Sequence, residues 1–120
     1  MSPRNARQAL GAEGERLAAA WYQARRFEVV DRNWRCALGE IDLVCKRGGV
    51  VVVVEVKTRA TGTFGHPAEA VTPAKQRRLR RLAGRWLEEH RESSGHRQAV
   101  RFDVVAVVGR RIQVIEGAFP

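Results

Sequence analysis

The 120-residue sequence predicts a single α/β domain, a central mixed sheet flanked by helices in the order α-β-β-β-α-β-β. Three observations lead there. Gly48-Gly49 lies between two strand-like runs, which is a hairpin signal. Apolar residues recur at helical spacing both before and after that hairpin. Thr72-Pro73 opens the second helical stretch between two strand-like runs, the pattern of a right-handed crossover that joins parallel strands.

The first helix is expected from about Asn5 to Arg25, where Leu10, Gly14, Leu17, Ala18 and Trp21 form one stripe, flanked by Glu13 and Glu15. Phe27 to Val30 reads as a short strand ended by the polar Asp31-Arg32-Asn33. The hairpin pairs Glu40–Val44 with Val50–Lys57. Alternation puts Ile41, Leu43, Cys45, Val52, Val54 and Val56 on a core face. Asp42, Val44, Val51, Val53, Glu55 and Lys57 share the other, with the charges at the edge of an apolar patch. Thr58 to Val71, with Gly62, Gly65 and Pro67, reads as a loop. The second helix has Thr72 as N-cap and Pro73 in its first position, and runs to about Arg91 before Ser93-Ser94-Gly95 breaks it. Leu79, Leu82, Ala83, Trp86 and Leu87 form its buried stripe. Phe102 to Val108 is expected parallel to Val51–Lys57, and Arg111 to Ile115 is a short last strand.

Charge narrows the function. Lys and Arg total 22 against 13 Asp and Glu, a net charge of +9, which favours polyanionic partners and nucleic acid above all. The N-terminus has no secretory apolar stretch, and the aliphatic run Val50–Val54 is too short to span a bilayer. Cys36 and Cys45 have neither disulfide-framework nor metal-ligand spacing, so a reduced, cytoplasmic protein with no membrane partner is expected. No P-loop, Rossmann glycine set or nucleophile triad is present.

The hairpin carries the chemistry. With the turn centred on Gly48-Gly49, Asp42 opposes Glu55 and Glu40 opposes Lys57. Two facing carboxylates repel unless a cation lies between them. Asp42, Glu55 and the carbonyl of Val56 suit Mg²⁺ or Mn²⁺, which prefer oxygen ligands, and Lys57 stands ready to hold an attacking water or a pentavalent phosphorus. A solvated salt-bridge cluster accounts for the same spacing.

These residues resemble a known pattern. Asp, a hairpin, then Glu-x-Lys is similar to the PD-(D/E)xK nuclease superfamily. Gly39-Glu40-Ile41-Asp42-Leu43, Val54-Glu55-Val56-Lys57-Thr58-Arg59 and Pro67 to Gln76 resemble the YraN family of bacterial endonuclease-like proteins, similar to archaeal Holliday-junction resolvases. The resemblance implies a restriction-endonuclease-like fold and Mg²⁺-dependent cleavage of DNA, with branched or recombination intermediates as substrates. It makes Asp42 and Glu55 metal ligands, Lys57 the catalytic lysine, and Glu15 the counterpart of a first-helix glutamate. It also implies a homodimer. Ile41 stands where the pattern often has proline. A non-catalytic nucleic-acid-binding protein and an RNA-processing nuclease fit the same residues.

The second helix carries Lys75, Arg77, Arg78, Arg80, Arg81 and Arg85 with no acid between Ala74 and Leu87. It is expected to track a phosphate backbone, reading nucleic-acid shape and not sequence, with Lys75, Arg77, Arg78 and Arg81 in contact; the resemblance adds Gln76, at the place where related nucleases often carry an accessory polar residue. Arg59, His66 and Lys75 flank the site and would steer substrate. Trp34, between Arg32 and Arg35, is either a stacking platform for a base or a tryptophan at the rim of the core.

Overall fold

The computed structural model describes residues 3–62, 71–90 and 98–120. Their order is α1 (Pro3–Ala24), β1 (Glu28–Cys36), β2 (Gly39–Arg47), β3 (Val50–Arg59), α2 (Pro73–Glu89), β4 (Ala99–Val108) and β5 (Arg111–Phe119). This is the expected α-β-β-β-α-β-β succession, an α/β fold consistent with the restriction-endonuclease-like class. The breaker at Ser93-Ser94-Gly95, His66, and residues 63–70 of the expected loop lie outside the described residues.

The sheet runs β1-β2-β3-β4-β5, with β3 and β4 parallel and the other neighbours antiparallel. Gly48 turns the β2–β3 hairpin with a φ of 57°, a conformation that glycine adopts without a steric penalty. Thr72 caps α2 as expected: its Oγ1 accepts from the Lys75 N–H at 3.2 Å, and Pro73 needs no partner for an N–H it lacks.

Three strands depart from expectation. β1 does not stop at Asp31-Arg32-Asn33 but runs on to Cys36, because it is an edge strand with a bulge between Val29 and Asp31, where polar side chains reach solvent. β4 begins at Ala99, before Phe102, and β5 extends from Ile115 to Phe119. The second face of the hairpin is not an apolar patch edged by solvent. Val44, Val51 and Val53 pack with Leu79, Leu82, Ala83 and Trp86 of α2 in one core. Leu43, Cys45, Val52 and Val54 pack with Ala18, Ala19 and Tyr22 of α1 in another. An unbroken valine run is what a strand covered on both sides requires.

α1 buries Gly14, Ala18, Ala19 and Tyr22, with Leu17 and Trp21 at the margin. A Cβ added at Gly14 would overlap the side chain of Thr58 on β3, so the helix touches the sheet backbone-close at this residue. Trp34 is packed against the α2-side core and donates its indole N–H to Glu89 at 3.1 Å, a rim position.

A buried acid ties the far end of the sheet together. Asp103, 1% exposed, accepts from Tyr22 Oη at 2.7 Å, from Arg101 at 2.9 and 3.0 Å, and from the Gly117 N–H at 2.9 Å. Burial and this carboxylate together raise the Tyr22 pKa, so its hydroxyl stays a donor. Asp103→Ala strips α1, β4 and β5 of a shared acceptor. It should cost roughly 3–5 kcal/mol, the range for breaking a buried charged pair. Urea unfolding reads the loss, and a cost below about 1 kcal/mol would mean the network is idle.

Candidate active site

β2 and β3 pair from Arg47–Val50 to Leu43–Val54, the expected register, and among the described residues the ladder ends there. Beyond that point β2 stays with β1 through Ile41–Trp34 and Glu40–Arg35. β3 stays with β4 from Glu55–Val104 to Arg59–Val108. The sheet therefore opens at Asp42 and Glu55, and the expected Asp42–Glu55 and Glu40–Lys57 pairs lie past the end of the ladder. The strand also turns here. Ile41 packs in the α2-side core and Leu43 in the α1-side core, so strict alternation fails across Asp42.

The turn sends two acids toward α1. Glu40 and Asp42, two residues apart on one strand, share a face. Their carboxylate oxygens and one of Glu15 all lie within 4.8 Å of one another. Glu15 reaches this point because its neighbour Gly14 lets α1 dock closely on Thr58. Glu40 also pairs with Arg35 at 3.3 Å. Asp42 Oδ2 accepts from the Val56 N–H at 2.8 Å. In an extended strand the N–H and C=O of one residue point to the same edge, so the Val56 carbonyl also faces the opening.

Glu55 leans the other way. It is 9% exposed, and its Oε1 lies 2.7 Å from Lys75 Nζ of α2 and 3.4 Å from Lys57 Nζ. Contact with Lys75 and then burial lower the Lys57 pKa, against the pull of Glu55. Burial is the largest single influence on Lys75 and works against its charge, but the hydrogen bonds to Glu55 and Lys57 and the charges of Glu55 and Asp42 together outweigh it and raise its pKa. Gln76 donates to the Val71 carbonyl at 3.3 Å. Arg59 is exposed at the end of β3, and Arg77, Arg78 and Arg81 are exposed along α2 beyond Lys75. Arg80 is not an unopposed charge: it donates to the Pro120 carbonyl at 2.9 and 2.7 Å and lies over the Phe119 ring.

The acids strain one another. Asp42 is pushed up to about 7, first by burial, then by the charge of Glu55, with smaller contributions from Glu15 and Glu40 and relief from the Val56 N–H. Oxygen-only donors, crowded until one is reluctant to ionise, suit a hard divalent cation. Sequence reasoning missed Glu40 as a member of this group, although its spacing from Asp42 was the available signal.

The raised Asp42 pKa has a consequence for stability. In the metal-free protein the folded state holds this proton more tightly than the unfolded chain does. Stability falls as pH rises from about 4 to about 7, and the loss is complete above that. Asp42→Asn removes the penalty. Unfolding free energies of variant and wild type, read from urea titrations, should converge near the lower end of this window and separate by a few kcal/mol above its upper end, with the variant the more stable. Parallel curves across the range would show that Asp42 titrates normally.

Comparison with known proteins places this geometry in a sequence context. The model of the family described as "Uncharacterised protein family UPF0102" matches residues 14–107, which run from Gly14, beside Glu15, almost to the end of β4. A UPF0102 protein of Beutenbergia cavernae is 57% identical over 88% of this chain and 87% of its own length. A UPF0102 protein of Mycolicibacterium vanbaalenii is 51% identical over 92% of this chain and 90% of its own. One of Anaeromyxobacter dehalogenans is 54% identical over 84% of this chain and 73% of its own.

Proposed function

Since the chain belongs to uncharacterised protein family UPF0102, the YraN family, we propose that its members of this form are metal-dependent endonucleases that hydrolyse phosphodiester bonds in DNA. The observation that carries this reading is the meeting of Glu15, Glu40 and Asp42 within 4.8 Å where β2 leaves β3. Glu55, Lys57 and Lys75 stand on the other side of the opening.

Glu15, Glu40 and Asp42, with the carbonyl of Val56, would hold Mg²⁺ or Mn²⁺. Such an ion supplies Lewis-acid charge to the scissile phosphate. The chain's own groups do the rest. Lys57, the more exposed of the two lysines, presents its ammonium to the phosphate and to the charge that grows on it during attack. Glu55 keeps Lys57 in place and is itself anchored by Lys75 from the first turn of α2. The Val56 N–H orients Asp42. Arg59, Arg77, Arg78 and Arg81 offer positive charge to the flanking backbone, in keeping with the net charge of +9.

Two measurements test the reading. Branched, flap, single-stranded and duplex DNA, with RNA counterparts, are incubated with Mg²⁺ or Mn²⁺. Cleavage of DNA that disappears with chelator supports hydrolysis, whereas tight binding without turnover on every substrate would make the protein a non-catalytic binder. Arg77, Arg78 and Arg81 are then replaced together by Ala, and binding is measured against salt. The slope of log K on log salt should become shallower by about one for each phosphate that the variant no longer neutralises. An unchanged slope takes α2 out of the interface.

A further inference from the structure

A cleft of about 310 Å³ adjoins the carboxylate cluster, lined by Leu10, Gly11, Glu15, Val56 and Thr58. Glu15 belongs to both, so whatever fills the cleft touches the group beside the reacting phosphate. The lining residues are apolar at Leu10 and Val56 and polar at Thr58 and Glu15, the make-up of a small-ligand site. The volume is at the small end for such sites, enough for one nucleoside and far too little for a base pair.

Gly11 supplies a second, independent observation. A glycine inside a helix costs stability relative to alanine, so a reason for it is expected. At Gly14 the reason is contact with Thr58. At Gly11 a Cβ would meet nothing within 4 Å, so packing does not require the glycine. Because Gly11 lines the cleft, a large side chain at this position would narrow it.

We infer that this cleft receives one unpaired nucleoside next to the scissile phosphate, so that the substrates are DNAs with an unstacked nucleotide at the cleavage point. The inference rests on the proposed nuclease reading for the phosphate beside Glu15. A base lifted from its stack loses stacking energy. Apolar contact with Leu10 and Val56 and a hydrogen bond from its edge to Thr58 or Glu15 offset that loss, which is smallest where the base is already unpaired.

The test uses binding, so that it does not depend on turnover. A duplex with one unpaired fluorescent adenine analogue and its fully paired counterpart are titrated with the full-length protein in Ca²⁺. Wild type should bind the unpaired form about tenfold more tightly, in the range of one base contact, with a change in analogue fluorescence. In Gly11→Leu the preference and the fluorescence change should both vanish, while Gly11→Ala, too small to fill the space, keeps them. Circular dichroism checks that both variants are folded. Equal binding of the two DNAs by wild type, or a preference that survives Gly11→Leu, overturns the inference. If the preference behaves as expected but no metal supports cleavage, the cleft assignment stands and the hydrolytic reading falls.

Discussion

Under the proposed endonuclease function, Asp42→Asn is expected to lower phosphodiester turnover about a thousandfold, because it removes the proposed ligand at the centre of the cluster and with it several kcal/mol of charge stabilisation at phosphorus. Asp42 is the residue on which the site converges. Glu15, Glu40 and Glu55 all act on its charge, and the Val56 N–H fixes its orientation. The isosteric amide keeps that acceptor and relieves the repulsion, so the variant stays folded and gains stability at neutral pH. Lys57→Met separates the two halves of the proposed mechanism. It should cost about a hundredfold or more in turnover, typical of removing one electrostatic donor. It should also leave Mn²⁺ binding in place, because Lys57 sits on the Glu55 side of the opening. Calorimetric titration with Mn²⁺ and single-turnover kinetics check both variants. Metal binding by Asp42→Asn as tight as wild type would remove the ion from this cluster.

How far the sequence led depends on which force sets each feature. The hairpin register and the cap of α2 are local: Gly48-Gly49 and Thr72-Pro73 decide them within a few residues, and both agree with the structure. The parallel pairing of β3 with β4 also follows from local order, since a helix between two strands demands a crossover. The second core is legible in the unbroken Val50–Val54, whereas alternation alone predicts a sheet buried on one face. The opening between β2 and β3 was not legible. It arises because β2 stays with β1 and β3 with β4 past Leu43–Val54, a competition among three strand pairings that no single segment encodes. For the same reason Glu40 and Glu15 meet Asp42 only through the turn of β2 and the docking of α1. Asp103 draws its partners from residues 22, 101 and 117, so nothing within its own strand marks it.

Two glycines on one helix should respond to alanine with opposite signs. Gly11→Ala gains helix propensity and meets nothing, so it should stabilise the protein by about 0.5–1 kcal/mol. Gly14→Ala gains the same propensity, but its methyl overlaps the Thr58 side chain and lies 3.0 Å from Thr58 Cβ. Thr58 is on the central strand and cannot retreat, so α1 must lift. Overpacking of this kind costs about 1–3 kcal/mol, enough to reverse the sign, and Gly14→Leu should lie at or beyond the top of that range. Thr58→Ala removes the hydroxyl and methyl that Gly14→Ala strikes. The double variant should recover part of the loss, with a coupling energy of about 1 kcal/mol or more in a double-mutant cycle. The helix carries Glu15 with it. A lift of even a fraction of an ångström withdraws that carboxylate from Glu40 and Asp42, so Gly14→Ala should weaken Mn²⁺ binding as well as folding. If Gly14→Ala instead stabilises the protein as Gly11→Ala does, α1 is not seated on β3 at this point, and Glu15 has no fixed place in the cluster.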